Sequence, residues 1–291
     1  MNDNEINGNL IYVSFVVNFE EGAEISFVNG DNINNAPYDG HDYIAGKDLC
    51  LQSHFDYAIN VGVNRVLSLF RHYGMKFTMS CCGMSAKKHP EIIRSAFSEM
   101  HEISAHGWRW ESHFNKSSDE EKQLISMTKD AIYEIIGEYP RGWHTRSSCS
   151  ENTRNLLFDA NFLYDSDDYS SEMPFLINEF CRPYVVIPYS FDTNDMQFIG
   201  TGKFLHGNDF FEYIKTAIEW LIYENKAIMD RAVTVVSVGL HPRIIGRPAR
   251  AHGLAKLLSW LKEHNNIIVI RRVDIANMII ENDSAITRKE S

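Results

Sequence analysis

Short apolar runs rich in β-branched residues alternate with longer segments of helical period along most of the chain. This alternation constrains the fold more than any other feature, because it is the pattern of parallel strands joined by crossover helices. Over 291 residues it predicts an α/β fold, namely a distorted parallel (β/α) barrel of about seven to eight strands. The candidate strands cover residues 11–19, 77–82, 102–108, 141–145, 162–166, 184–189, 233–240 and 267–272.

The segments between these runs carry signals for helix starts and ends. Ser118 and Glu121 have the spacing of a capping box in front of an apolar repeat, and Gly137 predicts the end of that helix. Pro90 suits the first turn of another helix, because the N–H that proline lacks is not needed there. Apolar residues at three- and four-residue spacing predict helices over residues 91–100, 210–227 and 254–264.

The charge balance narrows the classes of partner. Lys and Arg number 28 against 39 Asp and Glu, so the formal net charge is −11 and both nucleic-acid phosphates and anionic membranes repel the chain. We therefore expect no nucleic-acid partner and no membrane partner. No repeat or Pro/Gly/Ser-rich linker divides the sequence, which favours one domain over residues 1–291 with a core of approximately 10–280.

The start of the chain and its cysteines bear on the compartment. Residues 1–9 are polar and carry acidic groups, without the basic and apolar regions of a signal peptide. No apolar run approaches the roughly 18 residues of a membrane span. The five cysteines are an odd number without a C-x-x-C pair, which favours reduced thiols. Together these features predict a cytoplasmic protein.

Polar and aromatic residues are concentrated just after the predicted strands. In a parallel barrel the active site lies at the C-terminal ends of the strands, so we expect these residues to meet in one pocket. They are Glu20, Glu21, His106, Trp108, Trp110, His144, Arg146, Asp165, Asp167, Asp168, Asn194, Asp195, His241, Arg243, Arg271, Arg272 and Asp274.

Glu20, Glu21 and His241 are the candidates for proton transfer. Repulsion between the neighbouring carboxylates of Glu20 and Glu21 would raise one pKa and suit that group to acid–base work near neutral pH. His241 closes the run VTVVSVGL, and an unperturbed pKa of about 6.5 lets a histidine donate a proton to a leaving group. The alternatives are a solvated strand end for the glutamates and a hydrogen-bonded core position for the histidine.

The segment HEISAHGWRWESH contains both histidines and tryptophans. Its histidines, His101, His106 and His113, stand five and seven residues apart, which does not match the four-residue spacing common in zinc sites. Trp108 and Trp110 are candidates for a substrate wall, with core packing as the alternative.

An arginine cluster stands out in this acidic chain. Arg243, Arg247 and Arg250 lie within the segment HPRIIGRPAR, directly after His241. Because a guanidinium offers planar bidentate donors, the cluster indicates an anionic or carbonyl-rich substrate. Neutralisation of nearby surface acids is the alternative.

Eight segments in this order resemble the polysaccharide deacetylase family, carbohydrate esterase family 4, and most of all its metal-independent allantoinase branch. The resemblance runs from about residue 12 to residue 276 and implies a distorted barrel of parallel strands. The segments are VNFEEGAE (17–24), FDYAINVGVNR (55–65), HEISAHGWRWE (101–111), GWHTRSSCSENTR (142–154), YDSDDYSSEMP (164–174), IPYSFDTNDMQF (187–198), VGLHPRIIGRPAR (238–250) and RRVDIA (271–276).

The resemblance implies roles for individual residues. Glu20 and Glu21 stand at the Asp-Asp pair of the deacetylases, the first as catalytic base and the second as a metal ligand. His106 matches the first histidine of the H-x-x-x-H metal motif, whereas Trp110 replaces the second. His241 matches the general acid. Because one metal ligand is missing, as in the allantoinase branch, we expect no required metal.

These observations favour a hydrolase that cleaves the amide C–N bond of a cyclic amide, as in allantoinase-like opening of a hydantoin ring, with Glu20 as base and His241 as acid. The partner is then a small-molecule amide, and the resemblance also implies a homo-oligomer. Asn64, His144, Arg146 and Ser147 depart from the allantoinase pattern and leave the substrate open. The predicted substrate-binding residues are Glu21, His106, Trp108, Trp110, Arg146, Asp167, Asn194, Arg243 and Arg247.

Two other functions stay open. The first is a metal-dependent N-deacetylase of an acetylated small molecule or sugar, with Glu21, His106 and His113 holding zinc or another divalent metal. The second is a non-catalytic binding protein on the same fold. The presence of both the proposed base and the proposed acid argues against the second function.

Overall fold

The computed structural model describes residues 10–35, 44–199, 202–228 and 233–289. Within these residues nine strands form one sheet in the order β6-β7-β5-β4-β3-β2-β1-β8, with β9 also paired to β1. All pairs are parallel except β6 with β7. The strands are β1 Ile11–Phe19, β2 Thr78–Cys81, β3 Glu102–Ala105, β4 Gly142–Trp143, β5 Tyr164–Asp165, β6 Phe175–Leu176, β7 Val185–Val186, β8 Thr234–Leu240 and β9 Ile267–Val269.

The sheet curls because β1 has three neighbours. One edge of β1 pairs with β8 from Ile11 to Val17. The other edge pairs first with β9 and then, from Val16 onward, with β2. The free edge of β8 meets the segment that follows β7 through a parallel bridge between Asn194 and Gly239. The predicted distorted parallel barrel is therefore confirmed, and each of the eight predicted strands is present; the short β6 was not predicted.

Ten α-helices lie among the described residues, and a π-helical turn, Ala58–Gly62, joins the first two of them. They include the helices predicted at Pro90 and near residues 118, 210 and 254. The helices are α1 Leu49–Tyr57, α2 Val63–Tyr73, α3 Gly83–Lys88, α4 Pro90–Ser98, α5 Ser118–Ile136, α6 Thr153–Asp159, α7 Gly207–Ala227, α8 Pro242–Ile245, α9 Pro248–Lys262 and α10 Arg272–Lys289.

The capping box of α5 lies one residue earlier than predicted. Ser117, not Ser118, caps the helix, and the reciprocal partner is Glu120, not Glu121. Glu121 is fully buried instead and accepts a hydrogen bond from His113. Spacing alone cannot show which Ser-Glu pair caps the helix and which glutamate is buried, because two consecutive Ser and two consecutive Glu residues both satisfy the motif.

Alternation along β1 separates the hydrophobic core from the site. Phe15, Val17 and Phe19 pack into the large apolar cluster shared with the helices. Ser14 and Asn18 lie on the opposite face, since successive side chains of a strand point to opposite sides. Their partners in the neighbouring strands are also small and polar: Ser14 pairs with Ser237, and Asn18 with Ser80. This face is therefore the polar interior of the barrel, which leads to the strand ends.

A close backbone contact fixes the segment that follows β8. A Cβ atom added to Gly62 would lie 2.2 Å from the carbonyl oxygen of Pro242. Only glycine therefore allows the helical segment of α1, the π-helical turn and α2 to approach α8 this closely. The contact locates the residues just after His241 relative to α1. No helix among the described residues is both long enough and apolar enough to cross a membrane.

Candidate active site

Glu20 and His241 face each other at the C-terminal ends of the paired strands β1 and β8. Glu20 Oε1 lies 3.5 Å from His241 Nε2, and the other ring nitrogen, Nδ1, lies 2.7 Å from Asp195 Oδ1. The second oxygen of Asp195 accepts the backbone N–H groups of His241 and Ile245, at 2.7 and 3.1 Å. All three side chains are buried. The imidazole of His241 is thus held between two carboxylates.

Arg243 joins the two glutamates. Its buried guanidinium places Nη2 2.7 Å from Glu20 Oε2, and Nη1 donates to Glu21 Oε1 at 3.0 Å. The same guanidinium lies 5.1 Å from the Trp110 ring and 5.7 Å from the Phe55 ring. Buried charges of this kind persist only when they are paired, so removing Arg243 would leave Glu21 without a cation and Glu20 with His241 alone.

The surrounding charges set the protonation states. Burial raises the pKa of Glu20, but the charges of Arg243 and His241 outweigh burial and hold it well below its usual range. Burial raises the pKa of Glu21, and Arg243 offsets this only in part. Burial lowers the pKa of His241, but Glu20 and Asp195 outweigh this effect and raise it to about 9. At neutral pH the site therefore contains an ionised Glu20 beside a protonated His241.

Three rings line one wall of the site. The ring centroids of His106 and His144 are 5.3 Å apart, and those of His144 and Tyr189 are 4.4 Å apart, each pair being stacked. His106 Nδ1 lies 2.5 Å from the carbonyl oxygen of His144, and its Nε2 lies 3.2 Å from Glu20 Oε1. The Tyr189 hydroxyl accepts a hydrogen bond from the side chain of Asn18. Glu20 is thus approached by imidazoles from both β3 and β8.

Two predicted substrate-binding residues are engaged with neighbouring side chains and turns. Asp167 accepts both the backbone N–H and the hydroxyl of Thr145 at 2.6 Å, and lies 3.2 Å from His144 Nδ1. Asn194 caps the 3₁₀ turn Asp195–Phe198 with its side-chain oxygen. Thr145 holds Asp167 beside His144, and Asn194 stabilises the turn that begins with the aspartate facing His241.

The two tryptophans have different environments. Trp108 packs over α3, where a Cβ atom on Gly83 would lie 2.7 Å from the Trp108 ring. The ring fills the space over this glycine, and its part in a substrate wall stays a prediction. Trp110 is buried beside the site, with the guanidinium of Arg146 4.4 Å and that of Arg243 5.1 Å from its ring. Trp110 and Arg146 are thus brought to the site.

Arg247 lies at the edge of this region. Its guanidinium stacks on the Tyr57 ring at 3.5 Å, and it lines a cavity together with Arg243. His113 is held elsewhere, because its Nδ1 lies 2.9 Å from Glu121, which also accepts hydrogen bonds from Ser150 and Thr153.

The side chains present do not fit the zinc or other divalent ion that the alternative N-deacetylase function needs. Glu21 is bound to Arg243, and Trp110 stands at the position of the second ligand histidine. The substitute ligand set of Glu21, His106 and His113 is not assembled. Throughout the described ranges, no three His, Cys, Asp or Glu side chains are grouped so as to hold a metal ion.

Asp195 and Tyr189 also belong to this site: Asp195 is predicted in the strand-end pocket without a role of its own, and Tyr189 is not predicted. The sequence places Asp195 at a strand end, yet its neighbour Asn194 was chosen. The available signal was chemical: a strand-end histidine expected to carry a proton needs a carboxylate partner on its second nitrogen. Tyr189 ends the predicted strand 184–189. Period-two alternation along this strand places Ile187 and Tyr189 on the same face of the sheet.

Comparisons with known proteins agree on one family. The polysaccharide deacetylase family model matches residues 46–163. The chain is 33% identical to a probable polysaccharide deacetylase from Pseudomonas aeruginosa PAO1, with a TM-score of 0.86 and coverage of 93% of this chain and 91% of that one. It is 34% identical to the PuuE allantoinase structure, also with a TM-score of 0.86, covering 96% and 91%. A Schizosaccharomyces pombe protein named "putative polysaccharide deacetylase" is 27% identical over 93% of this chain and 90% of its own length.

Proposed function

Since this chain belongs to the polysaccharide deacetylase family and is a hydrolase of carbon–nitrogen bonds other than peptide bonds, we propose that it opens a cyclic amide ring. The observation that carries the proposal is the His241 imidazole between Glu20 and Asp195, at 3.5 and 2.7 Å. A base and an acid on one short axis are what water-driven cleavage of an unactivated amide requires. The similarity to an allantoinase supports the cyclic-amide class.

The protonation states suit this reaction at neutral pH. An ionised Glu20 can accept a proton from water, and a protonated His241 can give one to a departing nitrogen. A carboxylate with so low a pKa is a weak base in isolation. Proton gain by Glu20 is therefore coupled to proton loss by His241. Protonation of Glu20 removes the negative charge that holds the proton on His241, and deprotonation of His241 removes the positive charge that disfavours a proton on Glu20.

The proposed steps balance. Water adds to the carbonyl carbon while Glu20 takes one of its protons, and the carbonyl becomes a tetrahedral oxyanion. His241 then protonates the ring nitrogen, the C–N bond breaks, and the former carbonyl becomes a carboxyl group. The proton on Glu20 can return to His241 across the 3.5 Å between Oε1 and Nε2, which resets both groups. The cations of Arg243 and His241 favour the negative charge that develops.

No step of this proposal passes through a metal ion, because the donor set at Glu21 and His106 does not fit one. We therefore expect dialysis against EDTA to leave activity intact. The decisive experiment incubates the pure protein with allantoin, other cyclic amides and N-acetyl compounds, with and without chelator. Ring opening that survives chelation supports the proposal, whereas metal-dependent deacetylation alone would refute it.

Glu20→Gln tests the base directly. The amide keeps the size of the side chain but cannot accept a proton, so we expect cleavage to fall by about 10²- to 10⁴-fold. Glu134→Gln is the matched control, because Glu134 lies on the exposed surface and pairs with Lys87 at 3.5 Å. Absence of turnover with every amide tested would favour a non-catalytic binding protein. The homo-oligomer stays a prediction, which light scattering tests.

A further inference from the structure

The cavity lined by Arg243 and Arg247 lies beside the proposed catalytic groups and carries positive charge. It has a volume of about 480 Å³, and its lining includes Arg243, Arg247 and Arg250 together with His54 of α1. Arg243 connects the two places, because its guanidinium also binds Glu20 and Glu21. Arg243 therefore both lines this cavity and binds the proposed catalytic base.

Arg247 and Arg250 are each laid on an aromatic ring. The guanidinium of Arg247 is 3.5 Å from the Tyr57 ring, and that of Arg250 is 5.0 Å from the Phe198 ring. Tyr57 is itself fixed, because its hydroxyl donates to the carbonyl oxygen of Gly246 at 3.1 Å. Stacking of this kind covers one face of a guanidinium and leaves the N–H groups at its edge able to donate.

No carboxylate neutralises Arg247 or Arg250 among the residues described: neither has an Asp or Glu oxygen within ion-pair distance. Burial lowers the pKa of Arg250, and the nearby charge of Arg247 pushes in the same direction, which places two like charges close together. Asp195 attracts Arg250, but its oxygens already accept from His241 and Ile245.

The backbone adds to the positive potential. Arg247 is the N-cap of α9, a helix of 15 residues, and no side chain caps this end of the helix. No acidic residue occupies the first turn. Pro248 and Ala249 of that turn line the same cavity. The positive end of the helix dipole therefore has the same sign as the two arginines and does not offset them.

We propose that this cavity binds a carboxylate on the substrate, so that the substrate class is cyclic amides with an acidic substituent. The assignment rests on the proposed function, since it places the amide at Glu20 and the carboxylate at Arg247 and Arg250. Two guanidinium edges match a planar carboxylate through paired N–H donors, and such charge-assisted bonds are the stronger ones. A neutral substituent would leave both cations without a partner.

The test measures binding and needs no turnover. Isothermal titration calorimetry compares hydantoin-5-acetate with its neutral carboxamide, on the wild-type protein and on Glu20→Gln. We expect the carboxylate to bind about 10- to 100-fold more tightly, which is the range of hydrogen bonds to charged groups. Arg247→Gln and Arg250→Gln should each remove about tenfold or more of that preference.

Arg71→Gln is the matched control, because Arg71 is exposed on α2 and pairs with Glu99. It should leave the preference for the carboxylate unchanged, and thermal unfolding shows that each variant is folded. Equal affinity for the two hydantoins would overturn the proposal. So would binding of inorganic phosphate at Arg250 without any preference between the hydantoins, since the cavity would then serve a free anion. A failure of amide cleavage alone concerns the proposed function and leaves this binding result to stand by itself.

Discussion

His241 and His144 form two similar pairs with different charges. Each is a buried histidine at a strand end, and each turns Nδ1 toward an aspartate, at 2.7 Å in one case and 3.2 Å in the other. Yet the pKa of His241 is raised to about 9, because Glu20 and Asp195 together outweigh burial. Burial lowers the pKa of His144, and its single aspartate does not overcome burial.

The surroundings of the two aspartates explain the difference. Asp167 is satisfied by two donors of Thr145, and the charges of His106 and Arg272 also disfavour a proton on His144. His241 has a second carboxylate, Glu20, on its other nitrogen. The number of carboxylates that face an imidazole therefore decides which of these two histidines holds a proton at neutral pH, and residue type alone does not.

The largest expected effect comes from removing the protonated member of the comparison. His241→Asn eliminates the acid, so we expect kcat to fall by about 10²- to 10⁴-fold. His144→Asn removes a neutral ring that stacks at the wall, and we expect a smaller loss, at most about tenfold and mainly in KM. Steady-state kinetics, with a cyclic amide that the wild-type protein cleaves, measures kcat and KM for both variants. Equal losses in kcat would show that the two histidines share the role.

A smaller effect is expected when the aspartates are neutralised. Because its pKa is raised to about 9, His241 keeps its proton up to about that pH, and we expect activity to fall as the pH rises through this value. Asp195→Asn removes one of the two carboxylates, and we expect this alkaline limb to move down by about one to two pH units. The kcat/KM profile between pH 6 and 10 measures the shift. Asp167→Asn is the matched control, and a limb displaced equally in both variants would contradict this assignment.

Part of the fold could be predicted because the long strands β1 and β8 are largely apolar runs. Residues 11–19 were predicted as a strand and form β1 with the same bounds. The short strands are harder, since β6 is only two residues long and exists through its pairing with β7. The predicted start of α5 lies one residue too late, because the sequence there contains two overlapping capping motifs. Only packing decides between them, by burying Glu121.

The site was predictable to the extent that strand ends meet. Glu20, Glu21 and His241 follow β1 and β8, which are neighbours in the sheet, so the topology brings them together. Their pKa values could not be predicted, because the shift of Glu20 depends on Arg243, which reaches it from another segment. The prediction that one neighbouring glutamate has a raised pKa is met by Glu21 and not by Glu20, the residue chosen as base.

The smallest expected effect lies on the His144 side. Thr145 donates its hydroxyl to Asp167 at 2.6 Å and accepts the indole N–H of Trp143 at 2.8 Å. Thr145→Val removes both bonds, so we expect a loss of about 1 to 3 kcal/mol in the free energy of unfolding. With one donor fewer, Asp167 attracts a proton on His144 more strongly, and the lowered pKa of His144 should rise toward its ordinary value by less than about one unit.

NMR titration of the His144 ring measures this pKa, and Thr145→Ser serves as the control that keeps the hydroxyl. An unchanged His144 pKa would mean that Thr145 has no part in the difference between the two histidines. The alkaline limb near pH 9 should stay in place in both variants, because Glu20 and Asp195 still face His241. Movement of that limb would show that the two imidazoles titrate as one coupled system.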